Sequence, residues 1–595
     1  MIRKKKTVLG LAVAASTALI LSACGGGDSD DSAGVGFEDC EENPDACNEE
    51  ERVEGGKVTG VIDSGWTSWN NNRAGERNVY VSQAMAGVFP ETTLFKPSGE
   101  WEHNPAVFSE EAQMVSEDPL TVEYYLNPDG NWGDGTPITI DDFIYNWYSW
   151  SGDPDLCDPD LCVPASTAYG GHVESIEENE ENVITITYEE GHQDPEWQFN
   201  EVITFPAHII EENGFEDWQD DPTVMGESTD YHSENYPTWT SGPYRITDAS
   251  EGEFVLMERN EDFAGDTEVT LDEIELQVIE DMESIVTEMR QGSVQFASPA
   301  SIDPDQMEQI ETLEETRYHV GPGPSWTHID INTSNEFLQD VALREAFFTA
   351  IDVDGIIDRT FGLAVDDVER KTNHIFMNDD DYHVDVYEDS PQGSGDLDEA
   401  RQMLEEAGYE WDDSDNLLTP DGEQVEFNFR AAVDDTIRSD TAEIVQQQVT
   451  ELGIDLELVS IPAGDLSSVN AESNFDVIIF GWSGSPTFTN APRQYWHSTS
   501  DSNYGNLESD EVDDRISQIA TTNDIDEAAQ YTNDVLEALV DEAYYLPIVD
   551  APVVLMADEN LTGVRDNPNS SNRGLYAMEE WGYTTEEEAE ASLGE

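Results

Sequence analysis

Val425, Phe427 and Phe429 alternate with polar neighbours, a pattern that predicts a strand with one buried face. The period then changes. Ala442, Val445, Val449 and Leu452 fall on one helical stripe, with Ser439 or Asp440 as cap and Gly453 as stop. Alternation returns at Ile454, Leu456 and Leu458, and 475–480 is apolar apart from Asp476, as in a strand covered on both faces. Strand, helix and strand at this spacing predict a right-handed crossover and parallel strands. Helices over 341–357 and 397–407 flank the unit, the second stopped by Gly408. Earlier, 57–62 reads as the first strand of the body. Trp132-Gly133-Asp134-Gly135-Thr136-Pro137 is a turn cluster feeding a helix, in which Asp141 and Asp142 favour the N-terminal dipole and Phe143, Trp147 and Trp150 recur at helical spacing. Gly242-Pro243 leads into a strand, and Ile285, Val286 and Met289 mark a helix ending at Gly292. No long-period repeat is present and no second low-complexity linker cuts the body, so its domains are expected to be interleaved.

The N-terminus follows different rules. Arg3, Lys4, Lys5 and Lys6 precede a short apolar or small-residue run over 8–20, the marks of an export signal. That run falls short of the roughly 20 apolar residues of a membrane span. Leu21-Ser22-Ala23-Cys24 closes it and resembles the lipobox of bacterial lipoproteins. The resemblance implies a signal peptide over 1–23 and a lipid on Cys24 that holds the protein outside the cytoplasmic membrane. The glycine-, serine- and aspartate-rich segment 24–56 then reads as a flexible acidic spacer.

Charge narrows the partners. The chain carries 132 acidic against 24 basic residues, and beyond residue 6 lysine survives only at 57, 96 and 371. Such a polyanion excludes nucleic acid. The acidity is spread along the whole chain, which favours a surface adapted to high salt over steering of a basic substrate. With Cys24 lipidated, four cysteines remain in an oxidising compartment. Three pairings are open, and proximity favours Cys40 with Cys47 and Cys157 with Cys162. Asp153, Asp155, Asp158 and Asp160 around the second pair offer a calcium alternative, but they lack the spacing and glycine of a calcium loop.

Catalytic patterns are sparse. The ten histidines form no His-Glu-x-x-His pair, and neither phosphate-binding glycine motif occurs. Gly481-Trp482-Ser483-Gly484-Ser485 resembles a nucleophile elbow, yet position 485 is not glycine and Pro486 follows. An extracellular hydrolase using Ser483 and His497 is the alternative this motif leaves. Tryptophans beside hydroxyls and amides suit a ligand site better: Trp66, Thr67, Trp69 and Asn70 after the first strand, and Trp482, Ser483 and Ser485 after the later one. Packing of Trp66 and Trp69 in the core is an equal reading.

The ordered motifs resemble the extracytoplasmic solute-binding proteins of family 5, the oligopeptide and dipeptide receptors of ABC importers. They are the Trp132–Pro137 cluster with Asp141-Asp142-Phe143, Ser241-Gly242-Pro243-Tyr244, Ile331-Asn332-Thr333, Arg344-Glu345-Ala346, Ala350-Ile351-Asp352, Ala400-Arg401, Ala407-Gly408-Tyr409, Glu451-Leu452-Gly453-Ile454, Phe475-Asp476 with Gly481-Trp482, and Leu546-Pro547-Ile548. The resemblance implies an α/β fold with two lobes, like periplasmic binding proteins, and an extra domain inserted in lobe one. Lobe one would take 57–80, 237–323 and 546–595, the inserted domain 81–236, and lobe two 324–545. It implies no cofactor and no metal. The expected partners are a peptide or other small organic solute, ABC permease and ATPase subunits, and the membrane through the lipid. A monomer is expected. A sensor presenting its ligand to a membrane receptor is a further alternative, as is a glycan ligand. The loops after Ile62 and Phe480 would face each other across the cleft, with Arg493 as the nearby cation for a ligand carboxylate. One departure stands out: 483–488 holds no aspartate for a peptide α-ammonium, and burying that cation unpaired is costly.

Overall fold

The alternating segments assemble into one long sheet. In the computed structural model, which describes residues 34–593 apart from 41, 42, 301, 366, 367, 434 and 463, its strands are β1 (Lys57–Ile62), β2 (Tyr244–Ser250), β3 (Phe254–Arg259), β4 (Glu273–Val278), β5 (Phe296–Ala297), β6 (Thr316–Ile331), β7 (Glu426–Ala432), β8 (Asp455–Ile461), β9 (Val477–Ser483) and β10 (Tyr545–Asp558). Their spatial order is β8-β7-β9-β6-β10-β5-β1-β4-β3-β2, and Gly34–Val35 adds a short strand against β6. β7 runs parallel to both β8 and β9, as the strand–helix–strand spacing predicts. The signal segment and Cys24 lie outside the described residues.

Two long antiparallel strands, β6 and β10, carry the sheet from one hydrophobic core to another. Val58, Ile62, Tyr244, Leu276, Phe296 and Leu555 belong to the core of the first lobe. Ile329, Phe347, Val445, Val477 and Leu546 belong to that of the second. Between the cores the β6–β10 register slips, from Pro322 opposite Pro552 to Trp326 opposite Asp550. Prolines 322, 324 and 552 cannot donate to a ladder, so pairing fails at this point. Gly323 fits because a Cβ there would lie 2.6 Å from the Ala551 carbonyl oxygen.

A separate antiparallel sheet, ordered Phe108–Glu117, Leu120–Leu126, Val183–Tyr188 and Val173–Glu180, packs with the helix Ile140–Trp150 around Trp132, Phe143, Tyr145 and Trp218. The Trp132–Pro137 turn has a structural purpose. Asp142 accepts hydrogen bonds from Trp132 Nε1 at 3.2 Å, Thr139 N at 2.8 Å and Ala207 N at 2.8 Å, which together fix turn, helix and next segment.

Several expectations shift. The helix after β7 spans Thr436–Thr450 and is capped by Asp435, one turn earlier than Ser439 or Asp440, because the Ser439 hydroxyl instead donates to Ala432 O at 2.9 Å. The 341–357 helix is two, Val341–Thr349 and Val353–Ile357, since Asp352 caps the second by accepting from Gly355 N. The spacer reading does not describe 34–56 as a whole: Phe37 and Cys47 are buried and Val53 bridges to Tyr583. Average composition hides these few anchoring residues. Disulfides join Cys40 to Cys47 and Cys157 to Cys162. Asp153 and Asp158 accept from the backbone of Asp155 and Asp160, and among the described residues no group is arranged to hold a metal ion.

Candidate functional site

The carboxyl ends of β7 and β9 lie beside the β6–β10 register slip. Pairing between them covers only Val477 and Ile478, so β9 has β6 on one side but no strand beyond Ile478 on the other. β9 continues further than the apolar run suggested, through Trp482 and Ser483, which lie opposite Trp326 and Ser325 of β6. Ser483 is therefore in extended backbone and not on a sharp elbow. Its hydroxyl meets that of Ser325 at 3.2 Å, while His497 Nδ1 meets Thr499 Oγ1 at 2.9 Å. No hydrogen bond joins Ser483 to His497 among the described residues.

Trp482 is half-buried in a stack of aromatic rings. Tyr495 lies 4.3 Å from it at 20°, and Tyr504 lies 5.5 Å away at 17°. The Tyr495 hydroxyl also donates to Ser483 O at 3.2 Å, which fixes the strand end. Stacking of this kind holds the ring in place, with its Nε1 buried. Just past it, Gly484 N donates to Pro324 O at 2.6 Å and Ser485 Oγ contacts Thr487 Oγ1 at 2.8 Å.

Arg438 supplies the cation. It lies on the first turn of the helix Thr436–Thr450, and its Nη2 sits 2.8 Å from where a Cβ of Gly481 would be, so glycine there makes room for it. Its Nε pairs with Asp435 Oδ2 at 3.2 Å. Ala432, Asp435, Arg438, Gly464, Leu466 and Ser467 line a crevice of ≈ 340 Å³ at these strand ends. Crevices outside the carboxyl ends of parallel strands are where open α/β sheets bind ligands. Sequence reasoning missed Arg438, Tyr495 and Tyr504. The aromatic pair Tyr495-Trp496 was a legible signal, whereas nothing local marked Arg438 off from other helix residues.

The first-lobe candidates lie elsewhere. Trp66 and Trp69 are 2% and 3% exposed, packed edge to face at 5.5 Å, with Trp69 in turn against Tyr236. Asn70 is buried and donates to Thr229 O at 3.3 Å, while Thr67 is exposed. Arg493 is exposed on the short helix Ala491–Trp496. Among the described residues no hydrogen bond, ion pair or ring contact joins 66–70 to 482–493.

A buried carboxylate ties the inserted domain to the loop beyond β9. Glu196 accepts from Phe488 N at 2.6 Å, Thr489 N at 3.1 Å and Thr489 Oγ1 at 2.7 Å. Burial pushes its carboxyl up to about 7 against these bonds.

Comparison with known proteins matches this architecture. The family model for bacterial extracellular solute-binding proteins, family 5 Middle, matches residues 104–506. The oligopeptide-binding protein AppA of Bacillus subtilis (strain 168) is 24% identical over 348 residues, which cover 57% of this chain and 61% of AppA, just under two thirds of its length. The oligopeptide-binding protein OppA of Mycobacterium tuberculosis (strain ATCC 25618 / H37Rv) is 23% identical over 500 residues, 82% of this chain and 80% of OppA. Among solved structures, a periplasmic EDTA-binding protein, EppA, superposes with a TM-score of 0.82 at 25% identity, covering 91% of this chain and 99% of that one.

Proposed function

The chain belongs to the bacterial extracellular solute-binding proteins of family 5, and from that membership we propose that it captures an oligopeptide or similar organic solute between its two lobes and hands it to the permease of an ABC-type importer. The lobes divide at the β6 and β10 crossing, with the inserted domain on the first. Cys24 carries the lipid that keeps the protein at the outer face of the cytoplasmic membrane, where it works as a monomer.

The observation that carries the reading is the open edge of β9 beside the fixed Trp482 ring. An extended ligand backbone adds to such an edge as a further strand, and side chains fall on the aromatic shelf. Arg438 takes a ligand carboxylate at the crevice beside it. The absence of a carboxylate over 483–488 favours a blocked or cyclic peptide over one with a free α-amine.

A second reading rests on the Arg438 cation at the crevice, which also suits a polycarboxylate such as EDTA, the ligand named for EppA, free or as a metal chelate. Native mass spectrometry of the mature protein, purified in high salt, separates them. A retained peptide mass, lost in Trp482→Ala, is expected. A retained chelate or glycan keeps the receptor and replaces its ligand. An empty protein with no thermal shift from peptide, chelate or glycan pools overturns the reading.

A further inference from the structure

The bonds of Glu196 connect two parts of the molecule that share no sheet. Its turn, Asp194-Pro195-Glu196, is braced from within: Asp194 Oδ1 accepts from Glu196 N at 2.9 Å and Oδ2 from Asn200 Nδ2 at 2.7 Å. Glu196 is 6% exposed, and its two carboxyl oxygens take the three donors of Phe488 and Thr489. The receiving loop is equally fixed, because the Phe488 ring packs on Phe376 at 4.9 Å and Tyr382 at 5.8 Å in the second lobe. A second contact lies alongside. Asn523, between the helices Asp510–Ile519 and Ile525–Asp541, accepts from Asp194 N at 2.8 Å and donates to Glu117 O at 3.4 Å.

The inserted domain is also fastened to the first lobe. Arg73 pairs with Asp230 at 2.8 Å and donates to Leu161 O at 2.8 Å, and Asn72 Nδ2 donates to Thr204 Oγ1 at 3.1 Å. Ala74 N donates to Val163 O and Ala165 N to Asn72 O, each at 2.8 Å. A domain held this way travels with the first lobe. Parting of the lobes about the β6–β10 crossing then has to break the bonds of Glu196 and Asp194.

We propose that the 194–196 turn is a clasp that docks on 488–489 and Asn523 of the second lobe and holds the two lobes closed, with Glu196 as its positioning residue. The proposal rests on the division into lobes given above. Water makes the clasp reversible: once the lobes part, carboxyl and donors are each solvated, so the net gain per bond is modest. An apolar side chain at 196 leaves the Phe488 N–H buried without an acceptor in the closed form, which turns the bias toward opening. The clasped loop leaves β9 directly after Trp482 and Ser483, so the clasp acts on the same stretch of chain as the candidate site.

Double electron–electron resonance on the ligand-free protein tests the clasp, with nitroxides on cysteines at exposed positions. Glu177→Cys with Glu405→Cys spans the inserted domain and the second lobe, and Glu177→Cys with Glu258→Cys stays on the first-lobe side. In the parent the spanning distance is expected to match the structure. Glu196→Ala is expected to lower the ratio of short to long spanning distances about tenfold. Glu196→Gln keeps an acceptor oxygen for both N–H groups and is expected to stay near the parent. The first-lobe pair is expected to give one distance throughout. Should Glu196→Ala not fold by circular dichroism, Thr489→Val and Asn523→Ala carry the test from the second-lobe side, each with a smaller shift in the same direction. A spanning distance already long in the parent, unmoved in these variants, or moved as far by Glu196→Gln as by Glu196→Ala overturns the proposal. So does a first-lobe pair that shifts with it, since the inserted domain then moves by itself. Solute capture is read separately by native mass, so either reading can fail while the other stands.

Discussion

Each of the three lysines beyond residue 6 is in an ion pair. Lys57 reaches Glu273 at 2.6 Å and Glu275 at 2.7 Å, Lys96 reaches Glu102 at 3.4 Å, and Lys371 reaches Asp550 at 2.8 Å. Their contributions are unequal. Lys371 is 1% exposed, so its removal leaves the nearly buried Asp550 without its countercharge at the register slip. Lys371→Met is expected to cost about 3–5 kcal/mol in urea unfolding, and Lys96→Met under about 1 kcal/mol. Equal, small effects would show that the Lys371–Asp550 pair is solvated in solution. His374 gives a pH-dependent counterpart. Burial, then the charges of His328 and Lys371, holds it down to about 3, and its Nε2 meets the Tyr387 hydroxyl at 3.0 Å. A histidine depressed on folding contributes stability that is complete above the unfolded value near 6.5 and lost as pH falls toward the folded one. Unfolding midpoints are expected to drop between pH 7 and pH 5, with a shallower drop in His374→Gln. Parallel pH profiles would mean that another group governs the acid limb. At this scale the sequence was ambiguous where packing is long-range. Nothing local distinguishes Trp66 and Trp69, which pack against each other with Trp69 also on Tyr236, from Trp482, which stacks with two tyrosines and stays half-buried.

Elements were more legible than sites. The stripe at Ala442, Val445 and Val449 is buried, and Gly408 and Gly453 both adopt positive φ after their helices, because periodicity and stop signals are local properties. Arg344 of the family motifs is equally structural, giving its guanidinium to the carbonyls of Leu338 and Glu542. What the pattern could not reveal is the register slip between β6 and β10, since it depends on which strand lies opposite. Gly323→Ala probes it directly. The new methyl would meet Ala551 O at 2.6 Å and Val553 Cγ1 at 2.7 Å, so strain of about 1–3 kcal/mol is expected at the crossing. Urea unfolding measures the strain, and small-angle scattering with and without ligand reads whether closure survives. Unaltered stability and closure would mean that the crossing has room to spare.

Across the whole molecule, acidity outweighs every other electrostatic feature. With 132 acidic residues against 24 basic ones, self-repulsion acts across both lobes, and salt shortens its range to a few ångströms near molar concentration. The melting temperature is expected to rise by on the order of 10 °C between 0.2 and 2 M NaCl. A flat response by circular dichroism would remove the high-salt reading of the surface. The seam that fastens 34–56 to the first lobe bears on mechanics. Gly34–Val35 lies along β6, Asn48 donates to Val564 O, Arg565 reaches Asp45 O, and Arg317 spans both the segment and Leu561. A pull arriving along the N-terminal stretch is thus shared among several bonds loaded side by side, and it enters the body on the first-lobe side of the register slip. The second lobe holds none of these bonds. If the protein is moored by its N-terminus, as proposed, it can be tugged, dragged or tilted while the load falls on one side of its jaw and not across it.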